Sequence, residues 1–350
     1  MKKNKKKKKT KKEENKKISS LETSNLNINW YPGHMYKTKE ELKELIKKVD
    51  LVLEIRDARI PFSSSNEDLK EIIKNKEKII ILNKADLADD KITEEWVQYL
   101  EKTEKSKTLA VNSMEQKDIS KIKNEIKNLN IVKEKKQIQN EKGIVNPKIN
   151  IIIVGIPNSG KSTIINKLVG KNSQNVQNIP GVTKKNKWIR TKENINILDT
   201  PGVLIPKLDE KTGIKLAIIG SIKASLFDAI EIASYLLKNI IHMGYIKELS
   251  DRYKIDIEYI ENIKKYEEKI LKEKEKYLQE KCEEEFYNNL ENLYFEYNIK
   301  IYELMKEIGE KRGFLKKGND IDDEKTSNIL LNEFQKGLIG KISLERSQDE

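Results

Sequence analysis

Short runs of apolar, mostly β-branched residues recur along the first two thirds of the chain, and each ends in a polar loop. The clearest are Val49–Ile55 (VDLVLEI), Lys78–Leu82 (KIIIL), Ile149–Val154 (INIIIV) and Ile195–Leu198 (INIL). Continuous apolar runs of this length are typical of strands buried on both faces of a parallel sheet. Stretches with helical spacing, such as residues 37–48 and 163–169, lie between them. The alternation predicts an α/β domain, with a mostly parallel sheet and helices on both faces.

The pattern changes after about Leu226, where the strand-like runs stop and helical spacing continues. We therefore predict a disordered tail over residues 1–27, an α/β domain over 28–224 and a smaller all-α domain over 225–350. Within the last part, residues 261–285 hold seven Lys and nine Glu and are interpreted as an insertion. Balanced charge of this kind is more typical of a solvated helix than of a binding face.

Charge and cysteine content exclude several classes of protein. The 350 residues carry a formal charge of +12, which first suggests a polyanionic partner. Residues 1–17 hold eleven Lys and two Glu, so nine of those charges lie in a self-repelling tail. This tail has neither the apolar stretch of a secretory signal nor the Arg of a transit peptide, so we expect a cytoplasmic protein. Cys282 is the only cysteine, which excludes disulfide frameworks and Cys-based zinc sites, and no apolar run is long enough to span a membrane.

The sharpest local motif is residues 155–162 (GIPNSGKS), which match the phosphate-binding loop G-x-x-x-x-G-K-[ST] between a strand and a helix. Its backbone N–H groups and the helix N-terminus are expected to hold phosphates. Lys161 would neutralise the β- and γ-phosphates, and the Ser162 hydroxyl would ligate Mg²⁺. The other nucleotide contacts predicted on this loop are Asn158, Ser159, Gly160 and Thr163.

Two further segments fit the same phosphate and magnesium site. Residues 199–202 (DTPG) follow a strand, so that the Asp199 carboxylate would hold the water shell of Mg²⁺ and the Gly202 N–H would meet the γ-phosphate. Thr183, in the loop 180–183 (PGVT), is expected to supply a second hydroxyl to Mg²⁺ and to act in catalysis.

Residues 83–86 (NKAD) indicate which base is bound. A carboxylate at Asp86 can accept hydrogen bonds from guanine N1–H and the 2-amino group, which adenine cannot match. Lys84 would lie against the base, and Asn83 would tie this loop to the phosphate loop. Asn112 and Ser113 are a weaker match to a loop that contacts guanine O6. Together these loops predict a site for GTP and GDP.

The order of the loops is unusual. The guanine loops precede the phosphate loop, whereas in ordinary GTPases they follow it, so the sequence predicts a circularly permuted domain. Such a permutation is tolerated because the termini of a domain tend to lie close together.

On these motifs the chain resembles the RbgA/YlqF-type circularly permuted GTPases, which assist maturation of the large ribosomal subunit. The segments that carry the resemblance, from Trp30 onward, are 30–35 (WYPGHM), 57–61 (DARIP), 311–315 (KRGFL) and 337–340 (GLIG). Leu338 departs from the family's G-K-L-G pattern, which removes one possible phosphate contact. The resemblance implies that the helical domain binds ribosomal RNA.

The group that positions the attacking water is not obvious from the sequence. Val203 stands where Ras-like GTPases carry Gln, and valine cannot hydrogen-bond to water. His34 is our candidate, because a near-neutral imidazole can position or deprotonate water. Asn158 also matches the position that coordinates K⁺ in potassium-stimulated GTPases.

The sequence therefore predicts a monomeric GTPase that binds the large-subunit precursor and its rRNA, with no DNA or membrane partner. We expect it to be slow alone, to be stimulated by the subunit, and to promote a late assembly step. Two alternatives stay open. One is a non-catalytic GTP-dependent switch that docks a protein on its charged helices, and the other is the same activity on an organelle ribosome.

Overall fold

The computed structural model describes residues 42–65, 67–73, 76–143, 148–170, 174–176, 187–191, 193–199, 209–222, 226–279, 284–316, 318 and 320–349. These residues form two compact units. The first contains the described residues from 42 to 199 together with 341–349, and the second contains those from 209 to 340. This division comes earlier than the predicted boundary between residues 224 and 225, and the last residues of the chain belong to the first unit.

Within its described residues, the first unit contains a seven-stranded sheet with the spatial order β3-β2-β1-β4-β7-β6-β5. The strands are β1 Leu51–Asp57, β2 Glu77–Asn83, β3 Lys107–Val111, β4 Ile149–Gly155, β5 Gln174–Val176, β6 Lys187–Arg190 and β7 Ile195–Asp199. The first five strands of the spatial order run parallel; at one edge β6 pairs antiparallel with β7, and β5 pairs antiparallel with β6. All four strands predicted from the apolar runs are present. The predicted α/β fold class is confirmed.

Helices cover both faces of this sheet. Residues 42–47 are helical, and the further helices of the unit are α1 Glu67–Ile73, α2 Asp90–Glu104, α3 Gln116–Asn128, α4 Asn130–Glu141 and α5 Lys161–Val169. Successive residues of a strand face opposite layers. Accordingly, Leu51 and Leu53 pack with α3, α4 and α5, whereas Val52 packs with α1 and the helix at 42–47. This two-sided burial explains why the central strands read as continuous apolar runs.

A buried ionic cluster lies on the face of β1 that also carries Val52. Arg56 is fully buried, and its Nε donates to Glu54 Oε1 at 2.7 Å. Its Nη2 donates to Glu104 Oε1 at 2.8 Å, and Lys78 forms an ion pair with the same carboxylate. Burial disfavours ionisation of Glu104, but the charges of Arg56 and Lys78 outweigh it and lower its pKa to about 2.

The strand register brings the carboxyl ends of neighbouring strands to one edge of the sheet. Asp57, the last residue of β1, pairs with Asn83, the last residue of β2. Ile55 pairs with Gly155 at the end of β4, and two residues earlier on that strand Ile153 pairs with Asp199 at the end of β7. This edge is where ligands bind in open α/β sheets.

The second unit is helical, as predicted. Its described helices are α6 Glu210–Ile218, α7 Ala229–His242, α8 Ile246–Tyr253, α9 Ile257–Gln279, α10 Glu284–Lys311 and α11 Asp323–Gln335. Aspartates cap three of them, and their carboxylates accept from backbone N–H groups of the first turn: Asp209 for α6, Asp228 for α7 and Asp322 for α11. The Lys- and Glu-rich sequence forms much of α9, which buries Ile260, Ile263 and Ile270. No helix among the described residues is long and apolar enough to cross a membrane.

Candidate nucleotide-binding site

The phosphate loop leaves β4 at Gly155 and enters α5 at Lys161. Asn158 and Gly160 have positive φ angles, of 58° and 94°. A Cβ atom on Gly160 would lie 2.1 Å from Nδ2 of Asn83, and one on Gly155 would lie 2.3 Å from the carbonyl oxygen of Ile55. Both glycines are therefore required by close contacts as well as by backbone conformation, which explains the spacing of the motif.

Lys161 begins α5 and is buried. Its Nζ donates to the carbonyl oxygens of Gly155 at 3.1 Å and Ile156 at 2.6 Å, so the ammonium group lies across the loop. Ser162, the second residue of the helix, is exposed, and Thr163 is half-buried. A cation and an exposed hydroxyl thus stand at the first turn of α5, where the helix dipole also favours anions.

Asn83 joins three loops. Its Nδ2 donates to the carbonyl oxygen of Ser159 at 2.8 Å, and its Oδ1 accepts from the backbone N–H of Ser113 at 3.1 Å. The predicted tie between the N-K-x-D loop and the phosphate loop is therefore present, and it extends to the loop after β3. All three side chains are buried, so these hydrogen bonds are protected from water.

Asp86 lies in a short 3₁₀ helix, Ala85–Leu87, and is exposed. Lys84, just before it, has a left-handed backbone with φ 61°. In the neighbouring loop, the backbone N–H of Asn112 donates to Asp118 Oδ2 at 2.8 Å, and Asn112 Oδ1 accepts from the N–H of Met114 at 2.9 Å. Burial opposes ionisation of Asp118, but the bonds from Lys121 and the Asn112 N–H lower its pKa.

A buried acid holds Lys84. The Nζ of Lys84 lies 3.0 Å from Asp57 Oδ2, and Asp57 also accepts two bonds from the Arg59 side chain, from Nε at 2.9 Å and Nη2 at 2.8 Å. Burial would raise the pKa of Asp57, but the charges of Arg59 and Lys84 hold it well below its usual range. Residues 57–59 thus fix the stem that is expected to lie against the base.

The magnesium side of the predicted site is described only in part. Asp199 ends β7 beside β4, the strand that leads into the phosphate loop. His34, Thr183, Gly202 and Val203 lie outside the described residues. Their predicted roles are neither supported nor opposed by the structure.

Comparison with known proteins agrees with this geometry. Residues 150–277 match the family model described as 50S ribosome-binding GTPase. Ribosome biogenesis GTPase A from Bacillus licheniformis is 36% identical over 323 residues, covering 92% of this chain and 99% of that protein. The same-named protein of Bacillus cereus is 36% identical over 323 residues, covering 92% and 95%. The chain belongs to the ribosome biogenesis GTPase A family.

A solved structure of this family, GNP-bound YlqF from T. maritima, is also similar. It is 25% identical, covers 89% of this chain and 99% of that chain, and superposes with a TM-score of 0.53. The sheet order is consistent with the predicted circular permutation. Strand β4, which leads into the phosphate loop, lies between β1 and β7, although β2 and β3, which lead into the N-K-x-D loop and the loop at Ser113, come first in the chain.

The second unit presents a basic cluster around a buried acid. Glu333 accepts from Arg252 Nη2 at 2.7 Å, from Arg312 Nη2 at 3.0 Å and from the hydroxyl of Tyr253 at 2.9 Å. The Arg312 guanidinium also stacks on the Tyr253 ring, with its centre 5.3 Å away. Both arginine side chains keep more than a quarter of their surface exposed, and Lys311 is exposed beside them. The resemblance pointed to residues 311–315, but Arg252, Tyr253 and Glu333 carried no sequence signal.

Proposed function

We propose that this protein binds GTP at the carboxyl edge of its sheet, hydrolyses it, and thereby promotes a late step in assembly of the large ribosomal subunit. The proposal that the protein binds a nucleotide rests on the side chain of Asn83, which forms hydrogen bonds to both the phosphate loop and the loop at Ser113. One residue holds together the parts that would bind the phosphates and those that would read the base. Family membership supports GTP as the nucleotide and ribosome assembly as the setting.

The residues present suit the phosphates of GTP and a magnesium ion. Gly155 and Gly160 let the loop backbone pack directly against the carbonyl oxygen of Ile55 and the side chain of Asn83, which supports the loop in its phosphate-binding conformation. Lys161 would pair with the β- and γ-phosphates, and Ser162, Thr183 and Asp199 would hold Mg²⁺ directly or through water. When bound, Mg²⁺ neutralises charge that develops on the phosphates.

At the other end of the nucleotide, the protein would read guanine. Asp86 would accept from N1–H and the 2-amino group, with Lys84 against the base and the loop Asn112–Ser113 near O6. The ion pair of Lys84 with Asp57 supports this role, because it keeps a flexible lysine stem in one position.

Hydrolysis needs a group that positions water. We assign this role to His34, with Thr183 ordering the switch loop, since Val203 offers no hydrogen bond. Asn158 is exposed in the phosphate loop and would contribute to a K⁺ site. A monovalent cation there would supply positive charge to the transition state in place of an arginine finger.

The partner in this proposal is the precursor of the large subunit. The matched family model is described as 50S ribosome-binding GTPase, and the half-exposed Arg252 and Arg312 together with Lys311 would meet rRNA phosphates. The Lys-rich tail would add salt-sensitive attraction that does not depend on RNA sequence. We infer a cytoplasmic monomer without DNA or membrane partners.

The experiment is GTP turnover in K⁺ buffer with and without purified large subunits or their precursors. We expect the subunit to raise turnover by about ten-fold or more. Turnover that is the same in both conditions contradicts the proposal. GTP-dependent binding without any turnover, or a failure to co-sediment with subunits, supports the non-catalytic adaptor instead.

An Asp86→Asn variant tests which base the protein recognises. Its amide would pair with xanthine rather than guanine, so turnover should move from GTP to XTP while the phosphate loop stays intact. Glu94→Gln, which changes an exposed acid of α2, should keep the wild-type preference.

A further inference from the structure

The end of the chain lies against the loops that surround the N-K-x-D motif. Residues Ile342–Glu345, here named the C-terminal strap, belong to the first unit although they follow the helical unit in sequence. All four are buried, with at most 3% of their surface exposed. Burial this complete, in an irregular segment so close to the end of a chain, requires that its polar groups find partners.

One set of partners lies directly after Asp86. The backbone N–H of Ile342 donates to the carbonyl oxygen of Leu87 at 3.1 Å, and Ser343 Oγ accepts from the N–H of Asp89 at 3.2 Å. Leu87 ends the 3₁₀ helix that carries Asp86. The strap therefore holds the downstream side of the guanine loop.

A second set lies in the loop after β1. The N–H of Leu344 donates to the carbonyl oxygen of Arg59 at 2.9 Å. The Glu345 carboxylate accepts from the N–H of Phe62 at 2.8 Å, from the N–H of Ser63 at 3.2 Å and from the Ser63 hydroxyl. The backbone carbonyl of Glu345 accepts from Trp96 Nε1 at 3.1 Å.

These contacts reach Lys84 through a short chain of residues. Arg59, whose carbonyl the strap holds, forms the paired hydrogen bonds to Asp57, and Asp57 forms the ion pair with Lys84. The same four residues thus contact the segment after residues 83–86 directly and reach Lys84 through Arg59 and Asp57. Removing one buried acceptor from such a network leaves several donors unpaired. The loop after β1 and the N-K-x-D loop are then held less firmly in position.

We propose that the C-terminal strap is a positioning element for guanine recognition, with Glu345 and Ser343 as its positioning residues. The proposal rests on the function proposed above, because it assumes that Asp86 and Lys84 hold the base. Loss of the strap would let Asp86 move relative to the base, so that selectivity for guanine falls along with affinity.

The test compares GDP with IDP, whose hypoxanthine base lacks the 2-amino group that Asp86 is expected to bind. Fluorescent analogues of both are titrated into the full chain and into its Glu345→Ala and Ser343→Ala variants. Thermal melts by circular dichroism establish the temperature at which each variant is folded. We expect Glu345→Ala to weaken GDP binding by about ten-fold and IDP binding by much less, so that the GDP-to-IDP preference falls.

A folded variant with the wild-type preference overturns the proposal, even if its melting temperature drops, because a merely structural role would lower stability alone. If Glu345→Ala does not fold, Glu345→Gln provides the same test with a side chain of the same shape. Lys341→Ala is the matched control. It removes only an exposed ion pair with Asp90 next to the strap and should leave the preference unchanged. A wild-type protein that binds GDP no better than IDP overturns the proposed function itself.

Discussion

The side-chain amide of Asn83 donates to the carbonyl oxygen of Ser159 at 2.8 Å, which couples β2 and the N-K-x-D loop to the phosphate loop. In this permuted chain the two loops come from separate parts of the sequence in reversed order, yet they meet at one edge of the sheet. The bond is buried, and so is the one from Ser113 to the same side chain. Asn83 therefore links the two parts of the site directly, in addition to the pairing of β2 and β4 with β1.

Replacing Asn83 by Ala should weaken nucleotide binding strongly. It leaves a buried carbonyl and a buried N–H without partners, at a cost of about 1–3 kcal/mol each, so we expect GDP affinity to fall by roughly ten-fold to a hundred-fold. Fluorescence titration of GDP measures this. Asn150→Ala is the control: its side chain bonds to Lys48 and Asn196 near the start of β4, so it should affect stability but not affinity. Equal effects of the two changes on affinity would contradict the prediction.

Gly160→Ala should abolish tight nucleotide binding. The new Cβ would lie 2.1 Å from Nδ2 of Asn83 at a φ of 94°, so either the loop or the Asn83 side chain must move. We expect a loss of affinity of about a hundred-fold, measured by the same titration. Gly143→Ala is matched in φ, at 72°, but has open space around it, and it should cost only about 1 kcal/mol of stability. Binding by the Gly160 variant close to that of wild type would refute this reading of the loop.

The pKa of Glu104 predicts a dependence of stability on pH. Pairing with Arg56 and Lys78 lowers this pKa from 4.5 to about 2, so the stabilisation is complete above pH 4.5 and is lost as pH falls towards 2. Glu104→Gln should therefore destabilise the protein at pH 7 by roughly 2 kcal/mol, less than for a fully buried pair because the side chain is 14% exposed. Urea unfolding at several pH values should show that the difference in unfolding free energy between wild type and Glu104→Gln becomes smaller below pH 4.5. A difference that stays constant down to pH 2 would show that the ionised Glu104 carboxylate does not cause the stabilisation. Glu94→Gln, which changes an exposed acid, is the control.

The parts of the fold that could be predicted from sequence were those with local signals. Strands β1, β2, β4 and β7 are buried on both faces and therefore appear as continuous apolar runs. Strand β3 gives no continuous apolar run because it is an edge strand in which only Thr108 and Val111 are buried, and β5 and β6 give none because they are short and largely polar. Their antiparallel pairing depends on register, which a single short run does not encode.

The same contrast holds within the site. The phosphate loop and the N-K-x-D loop are motifs with fixed residue spacings, so the sequence alone was enough to identify them. The ion pair between Asp57 and Lys84 could not, because it requires that β1 and β2 be neighbours in register. Glu345 contacts Ser63 across 282 positions of the chain, and no local pattern marks such a contact.

His34 supplies the most direct test of the catalytic hypothesis. His34→Ala should lower subunit-stimulated turnover by about a hundred-fold while leaving GTP affinity unchanged, because positioning of water matters only in the transition state. Single-turnover measurements separate the two quantities. The other histidine, His242, lies in the helical unit and pairs with Glu267 on α9, so His242→Ala is a matched control that should keep wild-type turnover. Unchanged turnover in the His34 variant would refute the assignment.

Lys311 and Arg312 are adjacent but should respond differently to substitution. The Arg312 guanidinium bonds to Glu333, which is 8% exposed, so Arg312→Ala should lower stability by about 1–3 kcal/mol in addition to removing one expected phosphate contact. Lys311 is exposed, so Lys311→Ala should leave the melting temperature unchanged and weaken binding to large subunits. The salt dependence of its binding should also become shallower by about one released counterion. If Lys311→Ala binds subunits like wild type at every salt concentration, this face of the helical unit does not meet rRNA phosphates.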